Sequence, residues 1–343
     1  METPYDPYRP LAHLGACLAT DLVDLSDDLR VLDRSGRWAI VITYEGAITC
    51  ARFATWHEAP LPSAPAWIGP PADSWTSSLD RAEYMDAVEE IRQRVAAGTV
   101  YQANLCRVLS APLVGGPDLV PLAVLLAERH VAPYAGVIHL PHSGVQVATA
   151  SPELFLRRRA DRVWSAPIKG TGRTRGDLTE KDVAENIMIV DLVRNDLSRV
   201  CGTGSIAVEG LLSVESHPGL VHLVSTVTGQ LAPSRGWTDL IDATFPPGSV
   251  TGAPKSTAVQ AIADLEPVPR GPYCGAVGWV DADSGDGDLA VGIRTFWAAD
   301  GRLHFGTGAG ITWSSDPLRE WNETRLKAER LIGLASTSEK GSG

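Results

Sequence analysis

At 343 residues with 44% apolar side chains, the chain is long enough for one large domain or two small ones and can bury a sizeable core. Its net charge of −11 excludes a nucleic-acid surface, which needs clustered Lys and Arg, and makes any small anionic substrate depend on local positive charge. Cys17, Cys50, Cys106, Cys201 and Cys274 are scattered with no CxxC pair, Met1-Glu2-Thr3-Pro4 opens no basic-then-apolar leader, and no stretch approaches membrane-spanning length; a reducing cytoplasm is therefore expected, without a disulfide framework or zinc site.

Residues 1–75 are expected to form a β-rich segment packed on the main domain. Arg37–Tyr44 and Ala47–Phe53 read as strands around the Glu45-Gly46 turn, and Pro60–Asp73, rich in Pro and Ala, as a linker or surface crossing. A catalytic domain is expected over 76–335. Its first helix, Asp80–Ala97, carries Tyr84, Val88, Ile91 and Val95 on one stripe and stops at Gly98. The next strand carries Gln102, by itself a strand glutamine bonding to loop backbone. Ser151-Pro152-Glu153 opens a strand over Leu154–Arg158, which sets Glu153 at a strand edge where a loop can turn it toward a cleft. After a short strand, Arg162–Ser165, Pro167 and Gly170 bracket Lys169 in an extended segment that leaves its amine able to point inward. A helix from Thr179 to Arg199, with Val183, Ile187, Val190 and Leu197 at helical spacing, puts Asp182 and Glu185 on one face.

Val221–Thr228 alternates as a strand, where a lone histidine such as His222 is usually structural. Pro247–Lys255 is not a Walker loop, because Pro254 separates the glycine from the lysine. Cys274–Val280 and Leu289–Trp297 read as paired strands around a solvated acidic turn, Asp281–Asp286; the displaced glycine, and Gly292 in place of a closing Glu, exclude an EF-hand. Arg294 falls on the second of these strands. A substrate carboxylate or a structural Asp or Glu would equally satisfy its charge. The run Gly306-Thr307-Gly308-Ala309-Gly310 marks either close packing or an anion nest of backbone N–H groups. Ser315-Asp316-Pro317 opens a helix to about Ile332 with Glu320 and Glu323 again three apart. Each carboxylate pair alone is a solvated acidic face; two pairs facing one another suit one Mg²⁺, which keeps several waters and takes one or two protein carboxylates. Residues 336–343 are small and polar and expected to be disordered.

Taken in order, these motifs resemble the chorismate-utilising enzymes: anthranilate synthase component I, aminodeoxychorismate synthase component I, isochorismate synthase and salicylate synthase. The resemblance is dense from Ala82 to Leu334. It rests on Tyr101 through Leu105, Ser151 through Glu153, Pro167 through Thr171, Glu185 through Asp196, His222 through Ser225, Pro247 through Lys255, Tyr273 through Gly275, Gly292 through Phe296, Gly306 through Gly310 and Asn322 through Thr324. It implies an α+β fold of two packed antiparallel β-sheets with helices outside and the active site between them. It also implies chorismate as substrate and Mg²⁺ held by Glu185 and Glu323, with Asp182 and Glu320 in support. Substrate carboxylates would be held by Arg294, Tyr273 and the backbone of Gly308, Ala309 and Gly310, with Ser249 and Lys255 on a loop lining the cleft. His222 would lie beside the ring hydroxyl, and Glu153 would act as general acid on the C4 hydroxyl, a role that needs a pKa raised toward neutrality.

Two positions divide the family. Isochorismate and salicylate synthases carry a lysine base where this chain has Gln102, whose neutral amide cannot take up a proton, so water is not the expected nucleophile. Aminodeoxychorismate synthases carry a lysine where anthranilate synthases have alanine, and this chain has Lys169; the N-terminal Leu-Leu-Glu-Ser motif of tryptophan-inhibited anthranilate synthases is absent. The resemblance thus implies a transaminase-class amination of chorismate to 4-amino-4-deoxychorismate on the way to p-aminobenzoate and folate. Lys169 would attack C2 as a neutral amine; its alternative role is an ion pair with an acid such as Glu153. No cysteine sits in a nucleophile elbow, so ammonia is expected from a separate glutamine amidotransferase subunit. The alternatives are anthranilate synthase component I and a non-catalytic chorismate-binding subunit.

Overall fold

The structure, a computed structural model, describes residues 5–172, 174–217 and 220–337. The strands are β1 Leu11–Leu14, β2 Cys17–Ser26, β3 Arg37–Ile42, β4 Ile48–Glu58, β5 Thr76–Ser77, β6 Gln102–Pro112, β7 Tyr134–Leu140, β8 Val145–Ser151, β9 Leu154–Arg159, β10 Arg162–Ala166, β11 Ile168–Gly172, β12 Ala207–His217, β13 Leu220–Gln230, β14 Gly252–Ala253, β15 Ala276–Asp281, β16 Gly287–Val291, β17 Thr295–Ala299 and β18 Arg302–Ile311. The helices are α1 Arg81–Ala96, α2 Val120–Arg129, α3 Glu180–Ser198, α4 Trp237–Thr244, α5 Lys255–Leu265 and α6 Pro317–Ala335. Among the described residues no helix is long and apolar enough to cross a membrane.

All ladders between these strands are antiparallel. Most follow one path, β12-β13-β10-β9-β16-β15-β3-β4-β2-β1-β7-β8-β17-β18-β6, with β11 branching onto β13 and β5 and β14 onto β6. β1 joins its two halves, pairing with β2 through Ala12↔Ala19 and with β7 through Ala12↔Ile138. The halves are two sheets with a shared core, in which Val108, Ile138 and Val147 of one cluster with Ile40, Leu156 and Val277 of the other. Period-two alternation then decides what each face meets. Along β18, Leu303, Phe305, Ala309 and Ile311 pack under α1, α2, α5 and α6, whereas Gly306, Gly308 and Gly310 take the opposite face. Against the other sheet, α3 and α4 contribute Ile189, Val193 and Leu240 to the core that holds Val227 of β13. The architecture is α+β, with antiparallel sheets and helices outside.

Local signals explain the helix ends. Asp80 caps α1 in a reciprocal box with Glu83, Thr179 does the same for α3 with Asp182, and Asp316 accepts from the Arg319 N–H before Pro317 opens α6. α6 runs on to Ala335, past the expected Ile332. Ile187, assigned to the buried stripe of α3 by its spacing, is 43% exposed. The helix instead turns Asn186 inward, where its Nδ2 donates to Leu223 O (3.1 Å) and its Oδ1 accepts from Ser225 Oγ (2.5 Å).

Three further expectations are corrected. The run Leu289–Trp297 is not one strand: β16 pairs with β15, the chain breaks at residues 292–294, and β17 pairs with β8 and β18. Arg294 therefore lies in the break, with a left-handed φ of +52°. Gly306–Gly310 is not a nest. It is regular strand in unbroken register with β6, and none of its glycines has the positive φ a nest requires. Ser336 and Thr337 are held, by Trp75 Nε1 donating to Ser336 Oγ (3.0 Å) and by a bridge between Thr337 and Pro71. Residues 338–343 and Met1–Pro4 lie outside the described residues.

One buried ion pair fixes the strands that frame the site. Arg270 donates to Glu266 at 2.6 and 2.7 Å, to Val250 O at 2.9 Å and to Asn104 O at 2.7 Å. Glu266 Oε1 also accepts from the Cys106 N–H at 2.8 Å. Arg270→Ala would leave Glu266 buried without its counter-charge, so a loss of about 3–5 kcal/mol is expected from denaturant unfolding; an unchanged midpoint would contradict this role.

Candidate active site

A cavity of about 880 Å³ collects residues from both sheets and from α3 and α6. Glu153, in the turn between β8 and β9, is buried at its wall. Burial pushes its carboxyl up to about 7, against the pull of the Ser249 hydroxyl, the Lys169 charge and the Ile168 N–H. A carboxyl so poised can hold a proton near neutral pH and release it to a leaving group.

Lys169 owes its aim to irregular backbone. The β11–β13 register shifts between Lys169 and Thr171, and Gly170 adopts φ +74°. A Cβ on Gly170 would stand 2.9 Å from Asp182 Cβ, so the glycine also lets α3 approach. Lys169 Nζ donates to Ser249 O at 2.9 Å, and among the described residues no carboxylate is paired with it. The ion pair with Glu153 that the sequence left open does not form.

The four expected metal ligands divide. Asp182 borders the cavity, but its carboxylate accepts from the Thr179 N–H (2.8 Å) and Oγ1 (2.7 Å), so it caps its own helix. Glu185 and Glu323 face the cavity. Burial pushes Glu185 up, opposed by Lys169 and Lys181 and reinforced by Glu323 and Glu320. Lys327, 2.6 Å away, holds Glu323 below the usual carboxylate value. Buried Glu320 pairs through Oε1 with Lys181 at 2.8 Å, while its Oε2 has no partner among the described residues. No three His, Cys, Asp or Glu side chains among the described residues form a ready-made cage. An orphaned buried carboxylate oxygen beside two cavity-facing glutamates nonetheless fits one Mg²⁺, which needs only one or two direct carboxylates.

At the opposite wall Arg294 is half-buried, has no acidic partner among the described residues, and is pushed down by burial. Of the two ways to satisfy it, a structural acid is not found among the described residues. Tyr273 lies buried against Gly306, where a Cβ would sit 2.0 Å from its Cγ. β17 pairs with β18 only as far as Phe305, which leaves the next part of that edge open to the cavity. Gly308 O accepts there from Lys327 Nζ at 3.0 Å. Antiparallel alternation then points the N–H groups of Gly308 and Gly310 to the open edge and that of Ala309 toward β6. The open edge, rather than a nest, is what offers donors to an anion, and Ala309 is turned away from it, with its side chain in the core.

His222 is buried and borders the cavity, opposite Thr171 on β11 and Glu215 on β12. Gln102 is buried beneath the glycine face: a Cβ on Gly310 would lie 2.3 Å from its Nε2 and 3.3 Å from Glu185 Oε2. Its Oε1 has no partner, so the expected bond to loop backbone through that oxygen is not made. Ser249 lines the cavity, but Lys255 does not. Its ammonium is consumed by Asp196 (2.6 Å) and Thr244 O (2.7 Å). Sequence reasoning missed Lys181, Lys327 and His130. The two lysines stand four residues from Glu185 and Glu323, a spacing that could have found them; nothing local marked His130.

Sheets, cavity and buried acid together frame one candidate active site. The chain belongs to the chorismate binding enzyme family, whose profile matches residues 47–333. It is 37% identical to anthranilate synthase component 1 of Streptomyces coelicolor, over 92% of this chain and 66% of that one. It is 34% identical to aminodeoxychorismate synthase component 1 of Salmonella typhimurium (90% and 69%) and 38% identical to aminodeoxychorismate synthase of Streptomyces griseus (82% and 40%). The chain thus spans less than two thirds of the length of the two Streptomyces relatives. The fold is shared with anthranilate synthase component I from Streptococcus pneumoniae (TM-score 0.78, 24% identity, 96% of this chain and 91% of that one). It is shared equally with the menaquinone-specific isochorismate synthase of Escherichia coli (TM-score 0.80, 18% identity, 98% and 90%).

Proposed function

We propose that this chain aminates chorismate at C4, as an aminodeoxychorismate synthase component I fed with ammonia by a glutamine amidotransferase subunit. The observation that carries the reading is Lys169, bordering the cavity with no acid partner among the described residues, close enough to Glu153 for its charge to act on that buried carboxyl. Arg294 and the open edge at Gly308 and Gly310 hold the two substrate carboxylates. Glu185 and Glu323 would hold Mg²⁺, which when bound would supply electron withdrawal from the substrate ring.

Lys169, once its ammonium proton has passed to solvent, bonds to C2 through the freed lone pair, the ring diene shifts, and the C4–O bond breaks as Glu153 passes its proton to the departing hydroxyl, which leaves as water. Ammonia then bonds to C4, the diene shifts back as the C2–N bond to Lys169 breaks, and the proton shed by the new C4 ammonium returns to Glu153. The sum is chorismate plus ammonia giving 4-amino-4-deoxychorismate plus water. The Streptomyces coelicolor relative favours a second reading, anthranilate synthase component I, in which ammonia itself would attack C2; Lys169 on that path opposes it. The test is to incubate the protein with chorismate, Mg²⁺ and excess ammonium at mildly alkaline pH and identify the product. A compound that yields p-aminobenzoate on adding the matching lyase supports the proposal; anthranilate with pyruvate overturns it.

A further inference from the structure

The cavity has two chemically different ends. α6 borders it from Arg319 to Leu331, roughly 18 Å at the α-helical rise of 1.5 Å per residue. The first part of that run carries Glu323, near Glu185 and Lys181. The last part carries Arg330, whose charge, with that of Arg294, acts on His130.

His130 stands where α2 ends, at φ −146° and ψ 76°, its N–H bonded to Leu126 O at 2.7 Å. Arg330 Nη2 donates to Arg129 O at 2.6 Å, so α6 is tied to the residue before it. The imidazole lines the cavity, and among the described residues neither ring nitrogen has a hydrogen-bond partner. The neighbouring Arg294 guanidinium likewise has no acid partner among the described residues, and its backbone is held in a strained left-handed conformation, with its carbonyl accepting from Ala150 N at 3.0 Å. Two unpartnered donors at a half-buried wall suit an anion. A planar guanidinium takes a carboxylate edge-on, and an imidazole N–H can fill one of the oxygen lone pairs left over.

We propose that His130 is a substrate-binding residue which, with Arg294, holds the side-chain carboxylate of chorismate at the end of the cavity opposite Glu185 and Glu323. The proposal rests on the reading of the cavity as a chorismate site and adds the residue that selects a diacid. Burial, then the charges of Arg294 and Arg330, push the imidazole down to about 4. It is therefore neutral at physiological pH and donates one N–H without adding a third positive charge.

The test compares the native protein with His130→Ala and His130→Asn. Mg²⁺-dependent chorismate consumption gives KM and kcat, and calorimetry gives Kd for chorismate and for its side-chain methyl ester. His130→Ala should raise KM and Kd for chorismate about tenfold, keep kcat within about twofold, and leave Kd for the ester unchanged. His130→Asn, which retains an N–H donor, should recover most of the loss. An unchanged Kd for chorismate in His130→Ala, a His130→Asn variant no better than His130→Ala, or equal weakening of diacid and ester, would overturn the proposal. Should the alanine variant not fold, His130→Leu, which fills the space without an N–H donor, takes its place and must narrow the preference for diacid over ester. Consumption and binding are read whichever product forms, so failure here is distinguishable from failure of the amination reading.

Discussion

Lys169→Ala should lower formation of the 4-amino product on the order of 10³-fold or more, because it removes the bond-forming group and not merely a contact. The substitution should leave folding intact: the ammonium makes one hydrogen bond, to Ser249 O, and no ion pair among the described residues. Residual turnover should shift toward ammonia attack at C2, since nothing else in the cavity would occupy that carbon. Steady-state product analysis checks both parts. A variant that still delivers the 4-amino product at the native rate would show that Lys169 is a spectator, and the proposed path would have to be replaced by direct displacement at C4.

Glu153→Gln should have the second largest effect, a loss of about 10²–10⁴ in kcat, the span expected for a positioned general acid. The native enzyme should carry the matching pH profile, with activity falling as pH rises through about 7, where the carboxyl ionises. Stability gives an independent reading of the same group. Burial raises Glu153 from 4.5 to about 7, so between these values the folded state holds a proton that the unfolded state has lost. The contribution of Glu153 is fully present below about 4.5 and is lost as pH rises through about 7, a change of about 3 kcal/mol. Glu153→Gln removes that slope. The variant should therefore gain on the native protein in denaturant unfolding as pH goes from 4 to 8, while its activity stays low throughout. Parallel stability curves would mean that the carboxyl is not held protonated by burial.

What could be read from the chain was what local chemistry dictates. Asp316 announced its helix because a capping side chain satisfies backbone donors within its own turn, the helices from Asp80 and Thr179 showed in their apolar spacing, and Glu153 and Lys169 stood out because proline and glycine mark where the backbone is re-aimed. What misled was chemistry with two uses. Thr179 and Asp182 form a capping box, yet Asp182 was also three residues from Glu185, and only the folded helix shows which demand its carboxylate meets. Lys255 sat in the right loop, but Asp196, 59 residues away, takes its charge.

Strand partners were the least legible. The apolar run Leu289–Trp297 gives no sign that its two ends join different neighbours, although Gly292, where a Cβ would strike Pro272 O at 2.0 Å, stands at the break. That break frees Arg294 from the sheet and leaves the edge of β18 unpaired beyond Phe305, which is how a plain strand comes to face the cavity with its N–H groups. His130 could not have been chosen from the sequence, because its meaning lies in Arg294 and Arg330, one on a distant loop and the other on the last helix.

The most direct test of amination through Lys169 is intact-protein mass spectrometry after an acid quench of the enzyme with chorismate and Mg²⁺ but no ammonia. A gain equal to one chorismate less one water, mapping to the peptide that holds Lys169 and discharged as 4-amino-4-deoxychorismate when ammonium is added, is the expected result. Unmodified protein that nevertheless goes on to aminate chorismate at C4 when ammonium is supplied would contradict it.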